Sequence, residues 1–339
     1  MAECGGCQWQ HIIYPHQLFW KSHIVRECFE RIAGLQHLPV MEPIACEKPF
    51  KYRHRITLHI KNGTGGYYKK RSHEIIQVRE CPVVAPRLFE AMDICCLLVQ
   101  KNLLLEPFSI GRLHLLFVNA TEDVLIYFEH ANGVERKKFV LKKGAFEPEP
   151  CVEEPCDVIN GLFFKKNPEN FYQINDVQNR KLIRCVLAYA APQRGDAILD
   201  LYCGSGNFSL FLARTGAFVI GVDLNKVAVK QAQENASINN IQTCRFFQLD
   251  ADNLGDTFFD RHYTTVVLNP PRIGCSKKLM GRIVMARPNA VIYVSCNPAT
   301  LARDVIMLLE GGYRIELIQP IDLFPQTWHI ETIVLLKRT

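Results

Sequence analysis

The stretch Asp200-Leu201-Tyr202-Cys203-Gly204-Ser205-Gly206-Asn207 decides the fold. An apolar run over 197–202 ends at two closely spaced glycines, and a helix-forming segment over 207–214 follows at once. Glycines at a strand-to-helix turn let the backbone bend tightly and come close to a ligand. Downstream, the same alternation continues: strand 218–223, helix 226–238, strands 245–249 and 265–268, helix 277–287, strand 291–294 and helix 299–309. Strands and helices alternating at this spacing predict βαβ units, hence an α/β fold on a mostly parallel sheet. Two last strand-like runs, 313–318 and 332–337, have no helix between them, so an antiparallel strand is expected at the sheet edge.

Upstream the pattern differs. Residues 18–32 read as a helix with Leu18, Ile24, Val25, Phe29 and Ile32 on one apolar stripe. From about 52 to 162 the chain is β-rich, with short runs at 55–60, 74–78, 113–120, 124–130 and 139–141, and with Gly65-Gly66 and Asn132-Gly133 as hairpin turns. A Pro- and Glu-rich connection is expected over 147–155. The division expected is a β-rich unit over 1–165, with a helix at about 14–33 packing on the other domain, and a catalytic domain over 166–339.

The 339 residues suffice for two domains with separate cores. No apolar run approaches the roughly 20 residues of a membrane span, and Met1-Ala2-Glu3-Cys4 does not read as a signal peptide. A cytoplasmic protein without a membrane partner is therefore expected. Fourteen cysteines spread through so long a chain point to metal binding or catalysis rather than to disulfides. The net charge of +6 is uneven: nine Lys or Arg against two acids lie between Lys51 and Arg87, with Tyr52, Tyr67 and Tyr68 among them. Basic groups neutralise phosphates and aromatic faces stack on unpaired bases. A solvated sheet face would carry the same composition.

The glycine loop lacks the third glycine of a dinucleotide site, where Ser209 stands, and there is no triphosphate loop. The pattern D-x-x-x-G-x-G fits S-adenosylmethionine (SAM) methyltransferases better. Asp223, ending the next strand, is placed to accept hydrogen bonds from ribose hydroxyls or to cap the following helix; Asp250 is placed to meet adenine. Asn269-Pro270-Pro271-Arg272 forms a stiff loop after the fourth strand. Were an aromatic in place of Arg272, the loop would point to methylation of an exocyclic amine. Cys296, in Ser295-Cys296-Asn297-Pro298, leaves a strand end on the cofactor side, as a nucleophile or as a buried structural thiol.

Taken in order, Cys4-Gly5-Gly6-Cys7, Tyr52-Arg53-His54-Arg55, Ser72-His73-Glu74-Ile75, Phe171-Tyr172-Gln173-Ile174-Asn175, the glycine loop, Asn269–Arg272, Ser295–Pro298 and His329-Ile330-Glu331-Thr332 resemble the RNA uracil-5-methyltransferase family. Within it, the chain is most similar to the iron–sulfur enzymes acting on 23S ribosomal RNA. The resemblance implies a class I, Rossmann-like SAM-methyltransferase domain with a smaller β-rich RNA-binding domain on its N-terminal side, acting as a monomer. It implies Cys296 as nucleophile, Glu331 as base, and Gln173, Tyr202, Asn207, Asp223, Asp250 and Asn269 around SAM. It further implies Cys4, Cys7 and Cys81 as ligands of a [4Fe–4S] cluster. The family's fourth cysteine lies several residues before the position of Cys4. The family usually has Asp where this chain has Asn269, and an amide there lacks the charge. Two other readings stay open: a base amino-methyltransferase, and a non-catalytic RNA-binding relative.

Overall fold

The computed structural model describes residues 3–105, 110–132, 136–142, 145–148 and 155–339. The helix expected near 14–33 forms as α1 (Tyr14–Ala33), opened by a proline in its first turn and closed by Gly34 in the left-handed region. Its buried face is Gln17, Lys21, Val25 and Phe29, at i, i+4 spacing. Ile32, placed in the apolar stripe from sequence, is exposed. Two polar residues thus occupy a buried stripe that was expected to be apolar.

The chain divides into two compact units, Met1–Ile12 with Glu47–Val177, and Ile13–Cys46 with Gln178–Thr339. In the first, β1 (Arg55–Lys61), β2 (Thr64–Tyr68), β3 (Ile75–Ile76), α2 (Pro86–Gln100), β4 (Gly111–Phe117), β5 (Val124–His130), β6 (Arg136–Lys142) and β7 (Ala145–Pro148) follow in order. Among the described residues these strands form one antiparallel sheet, β3-β2-β1-β4-β5-β6-β7. Alternate residues Ile56, Leu58 and Ile60 of β1 join Leu113 and Leu115 of β4 and Leu88, Met92 and Cys95 of α2 in its core. A separate hairpin pairs β8 (Cys156–Ile159) with β9 (Leu162–Lys165).

The first hairpin turn is not Gly65-Gly66. It is Asn62-Gly63, both at positive φ, the pairing that a tight two-residue turn requires. Gly65 and Gly66 lie inside β2, where a Cβ on Gly66 would come within 2.2 Å of the Ile76 carbonyl oxygen, so glycine admits β3. Gly133 of the second expected turn and most of the 147–155 connection lie outside the described residues.

In the second unit, α3 (Asp176–Ala190) leads into β10 (Ala197–Leu201), α4 (Ser209–Ala213), β11 (Phe218–Asp223), α5 (Lys226–Ile238), β12 (Cys244–Gln248), β13 (Thr265–Leu268), α6 (Lys277–Ala286), β14 (Ala290–Ser295), α7 (Pro298–Glu310), β15 (Tyr313–Ile321) and β16 (Glu331–Arg338). The strand order is β12-β11-β10-β13-β14-β16-β15. The first five strands are parallel; β16 runs antiparallel between β14 and β15. Leu199 and Leu201 face a core built with α1, α6 and α7, while Asp200, one residue out of phase, faces α4. No helix among the described residues is long and apolar enough to cross a membrane.

Candidate active site

The glycine loop leaves β10 with Tyr202, Gly204 and Gly206 all at positive φ. Tyr202 there is a non-glycine residue in a costly conformation, of a kind found where the surroundings over-determine the backbone. A Cβ on Gly204 would meet nothing within 4 Å, whereas one on Gly206 would press on Leu210 and Phe246. The loop therefore opens at Gly204 and packs inward at Gly206. Beneath it, Asp200 accepts from the Ser209 hydroxyl at 2.5 Å, and full burial pushes its carboxyl up to about 7.

Asp223, at the end of β11, accepts from the backbone N–H groups of Gly204 and Asn225, each at 2.8 Å. It does not cap α5. That role falls to Asn225, whose side chain accepts from Val227 and Ala228. A carboxylate held beside an open glycine loop, with lone pairs left over, suits a ribose diol. Asn207 makes a reciprocal amide pair with Asn179 of α3, both bonds 3.0 Å. Asp250 accepts from Asp252 N–H and the Asn253 amide of its own turn. Asn269 follows β13, its N–H donating to the Leu201 carbonyl at 3.2 Å. These residues fit SAM: an open turn, a held carboxylate and amide groups along one set of strand ends. Gln173 lies in the other unit, half-buried between Tyr172 and Asn175.

Cys296 and Glu331 are 35 positions apart in sequence, and β16 brings them together. Ser295 of β14 pairs with Thr332 of β16, so the next residue of one strand faces the preceding residue of the other. The Cys296 thiol is half-buried, not sealed in the core. Burial and the facing Glu331 push it up, while the Arg272 guanidinium, which donates to it, pulls it down. Glu331 is buried, and that burial pushes its carboxyl up to about 8 against the pull of Arg272. Arg272 also lies against His329, its Nη2 at 3.4 Å and 3.5 Å from the two ring nitrogens. Burial and Arg272 push the imidazole down to about 4, so it is neutral near pH 7. The Arg272 carbonyl accepts from Asn297 and Thr300 of the α7 start, which ties the Pro-Pro loop to the Cys296 turn. Gly274 closes that loop at φ 81, with Asp304 Oδ2 only 2.4 Å from where a Cβ would sit.

Cys4, Cys7 and Cys81 line one cavity of ≈ 530 Å³ with Arg53, Tyr67 and Tyr68. Burial and the neighbouring Cys81 push the Cys7 thiol up to about 11. No three His, Cys, Asp or Glu among the described residues are grouped to hold a metal ion. Three thiols thus share a cavity without a fourth donor of the kind a closed cluster site takes, so the donor set as described falls short of one. In the same unit Lys51, Lys61, Lys70, Arg71 and Arg79 are exposed, while Arg55 is turned in, its guanidinium on the Asn170 and Pro168 carbonyls. Tyr52 is buried in the core and cannot stack on a base; Tyr68 is exposed and stacks on His59 at 3.6 Å.

A parallel sheet with one reversed strand beside its last parallel member, and a glycine loop facing a strand-end carboxylate, define a class I SAM-dependent methyltransferase. Within that class the chain belongs to the tRNA (uracil-5-)-methyltransferase family, a family of RNA-modifying enzymes, whose model matches residues 135–339. It is 32% identical, over 99% of its length and 82% of the relative's, to an uncharacterized RNA methyltransferase of Clostridium acetobutylicum. The 23S rRNA (uracil(1939)-C(5))-methyltransferase RlmD of Aeromonas salmonicida is also 32% identical, over 99% of this chain and 81% of that one. Among solved structures, Pyrococcus abyssi tRNA (uracil-54, C5)-methyltransferase, bound to S-adenosyl-L-homocysteine, superposes with a TM-score of 0.77 at 29% identity, covering 98% of this chain and 85% of that one.

Proposed function

We propose that the protein methylates C5 of a uracil in RNA, with Cys296 as nucleophile, Glu331 as proton acceptor and 23S ribosomal RNA as substrate. The observation that carries this reading is the strand reversal that sets Glu331 beside Cys296, with Arg272 against both. SAM, when bound, supplies an activated methyl group; Asp223, Asp250, Asn207, Tyr202 and Asn269 are the residues that would hold it. The Cys296 thiolate adds to C6 of the uracil, which makes C5 nucleophilic. Arg272 steadies negative charge on the sulfur and would do so on the uracil oxygen as the ring becomes an enolate. Once C5 carries the methyl, ionised Glu331 takes the C5 proton; the C6–S bond breaks, C5=C6 re-forms and the thiolate departs. The base must leave its stack to reach the thiol, and the exposed lysines and arginines of the β-rich unit supply phosphate contacts for such a substrate.

The ribosomal substrate is supported by the likeness to the Aeromonas enzyme. A [4Fe–4S] cluster would take Cys4, Cys7 and Cys81 as three of its ligands, and no catalytic step depends on it.

RNA containing 5-fluorouridine tests the proposal, since fluorine cannot leave as a proton and the adduct is trapped. With methyl donor present, the native protein forms a denaturant-stable adduct mapped to Cys296 by peptide mass spectrometry, and Cys296→Ala forms none. An adduct elsewhere, or methyl found on a base nitrogen, overturns the proposal.

A further inference from the structure

The connection between β15 and β16, residues 322–330, delivers His329 and Glu331 to the site and has no helix or strand of its own. Its shape is held by the polar residues buried in α1. The Lys21 ammonium, with no exposed surface, donates to Asp322 Oδ1 at 2.6 Å and to the Phe324 carbonyl at 3.0 Å. Asp322 Oδ1 also accepts from the Phe324 N–H, so one carboxylate joins the helix to the first turn of the connection. One turn earlier on α1, the Gln17 amide donates to the Gln326 side-chain oxygen at 3.0 Å and accepts from the Gln326 N–H at 2.9 Å. Gln326 is buried at φ 70, a left-handed conformation that a non-glycine residue keeps only when its surroundings hold it. From the other side, the Gln178 amide donates to the Asp322 carbonyl at 2.9 Å.

A buried ammonium and a buried amide are costly in a helix stripe where leucines would do. Here both are spent on one nine-residue loop about 300 positions away, the loop that ends in the base. We propose that Lys21 and Gln17 are positioning residues for Glu331, and that α1 serves as the template on which the base-bearing end of β16 is set against Cys296. This rests on the uracil-methylation reading above. It makes a specific demand on the reaction: loosening the template disturbs proton removal, which needs Glu331, more than thiol addition, which needs Cys296 and Arg272 on other elements.

Lys21→Met and Gln17→Leu test this, with two RNAs and the native protein as reference. With 5-fluorouridine RNA, both variants form the Cys296 adduct within about threefold of the native rate. With ordinary uridine RNA, turnover falls roughly 10- to 100-fold, in the range that displacing a catalytic group by an ångström produces. A methyl-bearing covalent protein–RNA complex, fleeting in the native protein, then accumulates. A variant that loses adduct formation and turnover in parallel, or neither, overturns the proposal. Should Lys21→Met fail to fold because the buried Asp322 carboxylate loses its cationic partner and keeps only the Tyr14 hydroxyl and the Phe324 N–H, Gln17→Leu, which strands no charge, decides the question. Native protein that forms no 5-fluorouridine adduct refutes the methylation reading itself, whatever the variants do.

Discussion

Glu331→Gln removes the proposed base and, in the same stroke, a buried group that resists ionisation. Its carboxyl titrates near 4.5 when unfolded and is pushed up to about 8 by burial in the folded protein. Folded protein therefore keeps a proton that the unfolded chain has released between those values. The native fold suffers no penalty below pH 4.5, and it progressively loses stability as the pH rises through 8. One unit corresponds to about 1.4 kcal/mol. The penalty is then about 1 kcal/mol at pH 5, about 3 at pH 7 and about 5 at pH 9. Glutamine cannot ionise, so the variant escapes it. Asp200, also raised by burial to about 7, is common to both proteins and cancels in the comparison. Chemical unfolding at pH 5 and pH 9 reads the difference directly: the stability gain of Glu331→Gln over the native protein should grow by about 4 kcal/mol between them. The more stable protein is also the one that cannot finish the reaction. A gain that is the same at both pH values, or a loss at pH 9, would refute the claim that Glu331 is held protonated by burial.

Asn269→Asp should raise methyl-donor affinity and turnover, because a carboxylate at the end of β13 adds charge that the amide lacks; equilibrium binding of the donor and initial rates would show it, and no change in either would mean that the charge is dispensable here. Gly274→Ala should destabilise the protein by about 2 kcal/mol or more, since it combines a left-handed φ with a Cβ pressed on Asp304 Oδ2, and thermal unfolding would measure it.

The alternation of strands and helices over 197–309 was legible because each element declares itself through contacts a few residues away: periodicity, glycines at turns, capping side chains. The same locality explains the misplacements. Asn62-Gly63 is the turn because both residues accept positive φ, whereas Gly65-Gly66 answer to a neighbouring strand that no local pattern announces. Tyr52 looked like a stacking platform among basic residues until the fold put it in the core. For Asp223, only the fold showed that it is not the helix cap, because Asn225, two residues on, takes that role.

From its residues alone, this chain declared the parallel-sheet core, the open glycine loop and the chemical kinds of group at the site, because those depend on neighbours along the backbone. Only the tertiary structure decided that Glu331 stands beside Cys296 and that Gln17 and Lys21 of α1 brace the loop leading to it. Strand order and helix docking join residues tens to hundreds of positions apart, and such contacts depend on how whole elements pack, which no window of sequence contains.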